Sequence, residues 1–240
     1  MLLIHGAGGY HLSWPPQIRR LSGQRIYTPD LPGHGKSEGL GRQEIGEYTQ
    51  AIVEFMKAVR IPAAVMVGFS MGSAIALSIA LEHRKRVLGL ALIGAGAKMR
   101  VAESTLELAS NPSMFLPTVE TVVEHSYSPG VDPRIKEFAI QQMAETRQAV
   151  LYGDFLACDA FNAMEQVHRI HLPTLLITGS ADRMTPPNRA QYLQSQIEGA
   201  QLEIVEGAGH MVIVERPDEV GELLTGFLDC IPYKKLVRAY

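Results

Sequence analysis

The stretch Ala64-Val65-Met66-Val67-Gly68-Phe69-Ser70-Met71-Gly72-Ser73-Ala74-Ile75-Ala76-Leu77-Ser78-Ile79-Ala80-Leu81-Glu82 decides how this chain folds. Residues 64–67 are an apolar run of strand length, and residues 73–82 are Ala-rich with high helix propensity. Between them lies Gly68-Phe69-Ser70-Met71-Gly72, a G-x-S-x-G turn that carries a strand sharply into a helix. The pentapeptide alone is weak, because with 22 glycines in 240 residues chance supplies roughly 0.1 matches per chain. The strand before it and the helix after it provide the context that the motif needs. Glycines two residues to either side of the serine remove Cβ atoms that would collide in so tight a turn. Ser70 is then held in a strained conformation with its hydroxyl projecting, next to the free N–H groups and partial positive charge of a helix N-terminus.

Outward from this turn, short apolar runs recur at residues 2–4, 25–28, 87–93, 174–178 and 202–205, and read as strands buried on both faces. Helical spacing at residues 45–59, 73–83, 187–196 and 217–228 alternates with them, which is the βαβ rhythm of a parallel sheet. The expected fold class is α/β, a mostly parallel, doubly wound sheet. Residues 97–172 break the rhythm. They hold no convincing strand, and their helical stretches are punctuated by Asn111-Pro112, Leu116-Pro117, Ser128-Pro129-Gly130 and Asp132-Pro133. This segment reads as a helical insertion over the sheet, within a single domain of residues 1–240. Its Met99, Met114, Phe115, Phe138, Met143, Phe155, Phe161 and Met164 are candidates to line an apolar pocket, although plain helix–helix core accounts better for most of them.

A serine hydroxyl becomes a useful nucleophile only when an imidazole takes its proton and a carboxylate orients that imidazole. Of the eight histidines, His210 follows the small-residue loop Gly207-Ala208-Gly209 directly after the last expected strand, at the carboxyl edge where such sheets build their sites. Asp182 lies just past the 174–178 run and satisfies the chain order serine, acid, histidine. A helix cap or Asx turn ahead of Pro186-Pro187 is its bland alternative. Asp30 competes as the carboxylate but lies upstream of the serine. The first run ends in His5-Gly6-Ala7-Gly8-Gly9, a turn whose backbone is able to approach a bound carbonyl closely, so the N–H groups of Ala7 and Met71 are the oxyanion-hole candidates. No G-x-G-x-x-G register or GK[ST] sequence fits these glycines, which argues against a nucleotide. His5 reads as a partner of backbone groups in its turn.

Composition narrows the partners. A formal net charge of -3, with acidic and basic residues scattered, leaves no electrostatic footprint for nucleic acid or an anionic membrane. Cys158 and Cys230 are far apart and form no CxxC pair, so neither a disulfide framework nor a metal site is expected. The opening Met1-Leu2-Leu3-Ile4 is too short for a signal peptide or membrane span, and a cytoplasmic location follows as the expectation. A small-molecule substrate and no cofactor complete that picture.

These residues resemble the α/β-hydrolase superfamily over nearly the whole chain: His5-Gly6, Asp30-Leu31-Pro32-Gly33-His34-Gly35-Lys36-Ser37, Gly68-Phe69-Ser70-Met71-Gly72, Gly179-Ser180-Ala181-Asp182 and Gly209-His210. The resemblance implies Ser70 as nucleophile, Asp182 as acid, His210 as base, Ala7 and Met71 as oxyanion donors, and a helical cap at residues 97–172. Members of that family normally carry two further strands before the His-Gly turn. The expectation is therefore an exposed sheet edge at residues 25–28, which a loop or a second copy in a homodimer would cover, and a more stable longer form. Ser70 speaks against the epoxide hydrolases and dehalogenases of the superfamily, which use an aspartate there. Carbon–carbon bond hydrolases similar to this chain usually place Trp after the histidine, whereas Met211 follows here. The expected activity is hydrolysis of small soluble carboxylic esters through an acyl-enzyme. Met184 and Met211 are candidate substrate contacts. A lactonase, a carbon–carbon bond hydrolase, a perhydrolase side activity and a non-catalytic binding protein on the same fold remain as alternatives.

Overall fold

Parallel strands must be joined by crossovers, and the chain supplies them. The computed structural model describes residues 1–231, so residues 232–240 of the expected unit lie outside the described part. Strands β1 (Leu2–Ile4), β2 (Ala64–Phe69), β3 (Val87–Ile93), β4 (Thr174–Gly179) and β5 (Gln201–Val205) form one sheet in the order β1-β2-β3-β4-β5. Every pairing is parallel, with Ile4 opposite Gly68, Gly68 opposite Leu92, and Ile93 opposite Ile177.

Side-chain alternation along the strands divides the core in two. Leu2, Ile4, Met66, Leu90, Leu92 and Leu176 face helices α2 (Ile45–Ala58), α3 (Met71–Glu82) and α8 (Pro187–Gln196). Leu3, Val65, Val67, Ala91, Ile93, Leu175 and Ile177 face the short α1 (Pro16–Arg19) and α9 (Val212–Glu215) and the long α10 (Pro217–Cys230). Both sheet faces are thus covered, which is why the strands read as continuous apolar runs rather than alternating ones. After β1 the chain packs α1 on one face and pairs Tyr27 beside Leu2. It then returns over the opposite face through α2 to pair β2 on the other side of β1. The direction of winding reverses at β1, and open α/β sheets bind ligands at such switch points, beyond the strand carboxyl ends.

Two expectations are corrected. Residues 25–28 form no strand: Tyr27 alone bridges to β1, donating its N–H to the Met1 carbonyl (3.0 Å) and accepting from the Leu3 N–H (2.8 Å). The Arg25 carbonyl is taken by the N-terminal ammonium, and Pro29 has no N–H to carry a ladder onward. β5 is not buried on both faces either. It is the outer strand beyond β4, Gln201 and Glu203 face solvent, and Ile204 is 42% exposed.

Between β3 and β4 the helical insertion consists of α4 (Glu103–Ser110), α5 (Phe115–Ser126), α6 (Pro133–Ala144) and α7 (Gln148–Ala160). Its base is closed by an isolated antiparallel bridge between Lys98 and Asn162. Two of the proline dipeptides act as starts: Pro112 opens a short 3-10 turn, and Pro133 opens α6 while the Asp132 carboxylate accepts the Arg134 N–H (2.9 Å). No helix among the described residues is long and apolar enough to cross a membrane.

Candidate active site

The turn at Ser70 joins β2 to α3 without a spacer. Ser70 has φ 52° and ψ −119°, and α3 begins at the next residue. A Cβ on Gly68 would lie 2.2 Å from the Gly72 carbonyl oxygen, as expected from the pattern. The Gly72 requirement comes from elsewhere, because its Cβ would lie 2.0 Å from the Ile4 carbonyl oxygen of β1. Both glycines therefore permit backbone to touch backbone, and the second one seats the helix N-terminus on the end of β1.

The loops after β4 and β5 deliver the other two groups. Ser180 N–H donates to the Val205 carbonyl and Ala181 N–H to the Ala208 carbonyl, both at 2.9 Å, which draws the Asp182 and His210 loops together. Asp182 Oδ2 lies 2.8 Å from His210 Nδ1, and His210 Nε2 lies 2.9 Å from Ser70 Oγ. A carboxylate only accepts, so Nδ1 carries the proton and Nε2 is left to accept from the serine hydroxyl. Asp182 and His210 are each 4% exposed. Burial pushes the Asp182 carboxyl up, but the charge and hydrogen bond of His210, with the bonds from Thr185, outweigh it and hold the carboxyl below its usual range.

Asp182 also fulfils its bland reading. Its Oδ1 accepts the Met184 and Thr185 N–H groups, each at 2.8 Å, in an Asx-type turn. Thr185 was not singled out from the sequence, yet its hydroxyl donates to Asp182 Oδ2 (2.8 Å) and lies 3.1 Å from His210 Nδ1. A hydroxyl three residues after the acid was the available signal. Glu215 is a second such residue: it accepts the Gly209 N–H (3.0 Å) immediately before His210. Asp30, the competing carboxylate, is occupied by the His11 N–H (2.6 Å), the His11 ring (3.0 Å) and the Lys36 N–H (2.9 Å), and stabilises its own turn.

On the opposite side of Ser70, the turn after β1 closes the site. A Cβ on Gly6 would lie 3.2 Å from the Ser70 Cβ, so this backbone runs directly against the serine. His5 Nδ1 lies 2.8 Å from the Gly6 carbonyl and Nε2 accepts the Leu31 N–H (3.0 Å), which fixes the ring as a neutral backbone partner. Burial first, then the neighbouring His34, pushes its pKa down to about 4. Ala7 and Met71 flank Ser70 from the two turns, and no protein acceptor engages either N–H among the described residues.

Next to this group lies a cavity of about 240 Å³ lined by Ala7, Phe69, Val123, Tyr127, Phe138, Met143 and Met211, among others; it borders the site through Ala7, Phe69 and Met211, the chain neighbours of Gly6, Ser70 and His210, and not through Ser70 or His210 themselves. Its lining includes no charged side chain. Of the eight insertion residues named from the sequence, Phe138 and Met143 reach it, whereas Met99, Phe155 and Phe161 are core. Met211 lines the cavity. Met184 does not; its N–H is bound by Asp182, and its side chain packs with the insertion's own apolar cluster. Phe138, 61% exposed, stands at the mouth. Among the described residues no group of three or more His, Cys, Asp or Glu is arranged to hold a metal ion.

A parallel sheet with a hydrogen-bonded serine, aspartate and histidine beyond the carboxyl ends of β2, β4 and β5, together with a helical insertion, defines the class. The chain belongs to the Alpha/beta hydrolase family, which matches residues 1–223. It is 25% identical over 237 residues to 3-oxoadipate enol-lactonase 1 of Acinetobacter baylyi, covering 96% of this chain and 89% of that protein. It is 27% identical over 243 residues to a pimeloyl-[acyl-carrier protein] methyl ester esterase of Yersinia enterocolitica, covering 95% and 92%. A solved thermophilic esterase superposes with a TM-score of 0.84 at 27% identity, covering 96% of this chain and 90% of that one.

Proposed function

We propose that this hydrolase cleaves carboxylic esters with an uncharged, apolar acyl group. The observation that carries this reading is the hydrogen-bonded chain Asp182–His210–Ser70, at 2.8 and 2.9 Å, ending on a serine in strained backbone whose neighbour Phe69 lines an apolar cavity. Ser70 Oγ attacks the ester carbonyl while His210 Nε2 takes its proton. The oxyanion that forms is stabilised by the Ala7 and Met71 N–H groups, the latter at the positive end of α3. His210 returns the proton to the leaving alkoxide as the carbon–oxygen bond breaks, leaving an acyl-enzyme. Water, deprotonated by the same imidazole, attacks the acyl-enzyme and releases the acid. Asp182 keeps the His210 tautomer and stabilises its cation.

The substrate class rests on the cavity wall. A carboxylate entering a lining with no charged side chain loses its hydration without gaining a counter-ion, which costs several kcal/mol. A lactone is a cyclic ester open to the same steps, and the enol-lactonase relative favours it as the second reading. The test is a panel of p-nitrophenyl acetate, butyrate, octanoate and hemisuccinate with wild type and Ser70→Ala. The expected result is a kcat/KM for butyrate at least about 100-fold above hemisuccinate, and loss of at least about 10³-fold on removing Ser70 Oγ. A Ser70→Ala variant that retains most of the turnover refutes the assignment, and equal rates for the two four-carbon acyl esters refute the substrate class.

A further inference from the structure

Asp154 is a fully buried carboxylate that the steps above do not use. It sits on α7 of the insertion, and three donors converge on it from the rest of the fold. The Gly8 N–H (2.9 Å) and His34 Nε2 (2.8 Å) bind Oδ2, and the Tyr48 hydroxyl (2.5 Å) binds Oδ1. His34 directs its other ring nitrogen at the Pro32 carbonyl (3.1 Å), so both nitrogens face acceptors and the ring is held as a cation paired with Asp154. Both side chains are completely shielded from solvent. A buried pair of this kind adds little stability over an apolar pair of equal volume, so stability alone does not account for it.

Its position does. Gly8 directly follows Ala7, and insertion residues grip its peptide units on both sides: Asp154 binds its N–H, and the Thr146 hydroxyl donates to its carbonyl (3.0 Å). The Gly8 N–H shares its peptide plane with the Ala7 carbonyl, so holding it fixes the orientation of Ala7. α7 is seated closely enough to hold this register. A Cβ on Gly8, at φ 63°, would lie 2.9 Å from Leu151 Cδ1, and one on Gly153 would lie 2.7 Å from the Arg42 carbonyl.

We infer that Asp154, helped by Thr146, is a positioning residue for hydrolysis: it reaches from the helical insertion to the turn after β1 and aims the Ala7 N–H at the oxyanion. The insertion then acts on the transition state as well as walling the cavity. This rests on the ester-hydrolase reading, in which Ala7 is an oxyanion donor.

The experiment compares Asp154→Ala, Asp154→Asn and Thr146→Val with wild type. Reading out kcat per fluorophosphonate-titrated site, KM, thermal midpoint, and inhibition by a trifluoromethyl ketone, whose hemiketal oxyanion with the serine mimics the intermediate, separates the causes. Asp154→Ala is expected to lower kcat about 10- to 100-fold with KM within about 3-fold, and to weaken the ketone by a matching factor. Asp154→Asn retains an acceptor for the Gly8 N–H and is expected to recover most of that loss. Should Asp154→Ala fail to fold, Thr146→Val carries the test, with a smaller but parallel loss in kcat and ketone affinity. A kcat per titrated site and a ketone affinity within about 2-fold of wild type in the folded variants, alongside a lowered thermal midpoint, overturn the inference and leave a purely structural pair. Wild type that neither hydrolyses esters nor labels at Ser70 overturns the underlying function instead.

Discussion

The strain at Ser70 predicts a reversal of the usual order of glycine and alanine. At φ 52° and ψ −119° a residue with a Cβ stores about 1–3 kcal/mol, whereas glycine stores almost none. Ser70→Ala and Ser70→Gly both lose the bond between Oγ and His210 Nε2, and the serine side chain caps nothing on α3, so the two variants differ only in the Cβ. Glycine ordinarily loses about 0.5–1 kcal/mol to alanine through the greater freedom of its unfolded chain. Taking the middle of each range leaves about 1 kcal/mol in favour of glycine, or about 2–4 °C in Tm for a chain of this length. Thermal and urea unfolding followed by circular dichroism at one pH measure it, with both variants inactive. Gly226→Ala in α10, where an added Cβ meets nothing within 4 Å, is the control and should show the ordinary sign. An alanine variant as stable as the glycine variant, with the control behaving normally, refutes the idea that the turn is strained and held by its surroundings.

Two further outcomes follow from the same geometry. Gly72→Ala forces a Cβ to 2.0 Å from the Ile4 carbonyl and should cost more than about 3 kcal/mol or prevent folding, measured by urea unfolding; a near-neutral result would mean that α3 is not seated on β1. His5, with its pKa depressed to about 4, remains neutral while the unfolded chain takes up a proton near pH 6.5, so its share of stability is complete above pH 6.5 and is lost as the pH falls towards 4. That share is about 3 kcal/mol at most, and His34, whose pKa is raised, contributes with the opposite sign on the alkaline side. Denaturant titrations from pH 7.5 to 4.5 should show this acid-side loss in wild type and a flatter profile in His5→Gln. Parallel profiles for the two proteins would contradict a neutral buried His5.

How much of this was legible in the sequence depends on whether the signal was local. The Ala64–Phe69 strand, the Gly68 requirement and the helix after Ser70 are written within one stretch, because each follows from sterics between near neighbours, whereas the Gly72 requirement is set by the distant Ile4 carbonyl. The Asn111-Pro112 and Asp132-Pro133 pairs announced helix starts for the same reason. Residues 25–28 misled because apolar, β-prone composition specifies a strand only where the partner ladder continues, and Pro29 ends it after Tyr27. β5 misled because the apolar run Leu202 to Val205 does not state how many neighbours the strand has.

The site divides along the same line. Asp182 and His210 were found by chain order at strand ends, a topological rule that needs no distances. Thr185 and Met184 turn on which way one loop of four residues folds, and that loop sends the Thr185 hydroxyl towards His210 while binding the Met184 N–H to Asp182. Asp154 was beyond sequence reading altogether. In Gly153-Asp154-Phe155 it looks like a polar residue on a helix surface, and only the docking of α7 onto the turn after β1 buries it against donors from Gly8, His34 and Tyr48. Carboxylates do not become fully buried without such partners, so this burial needs three distant segments to arrive together. The residues gathered at the strand ends are thus encoded locally and in order, while the contacts that reach their turn from the insertion are encoded in packing.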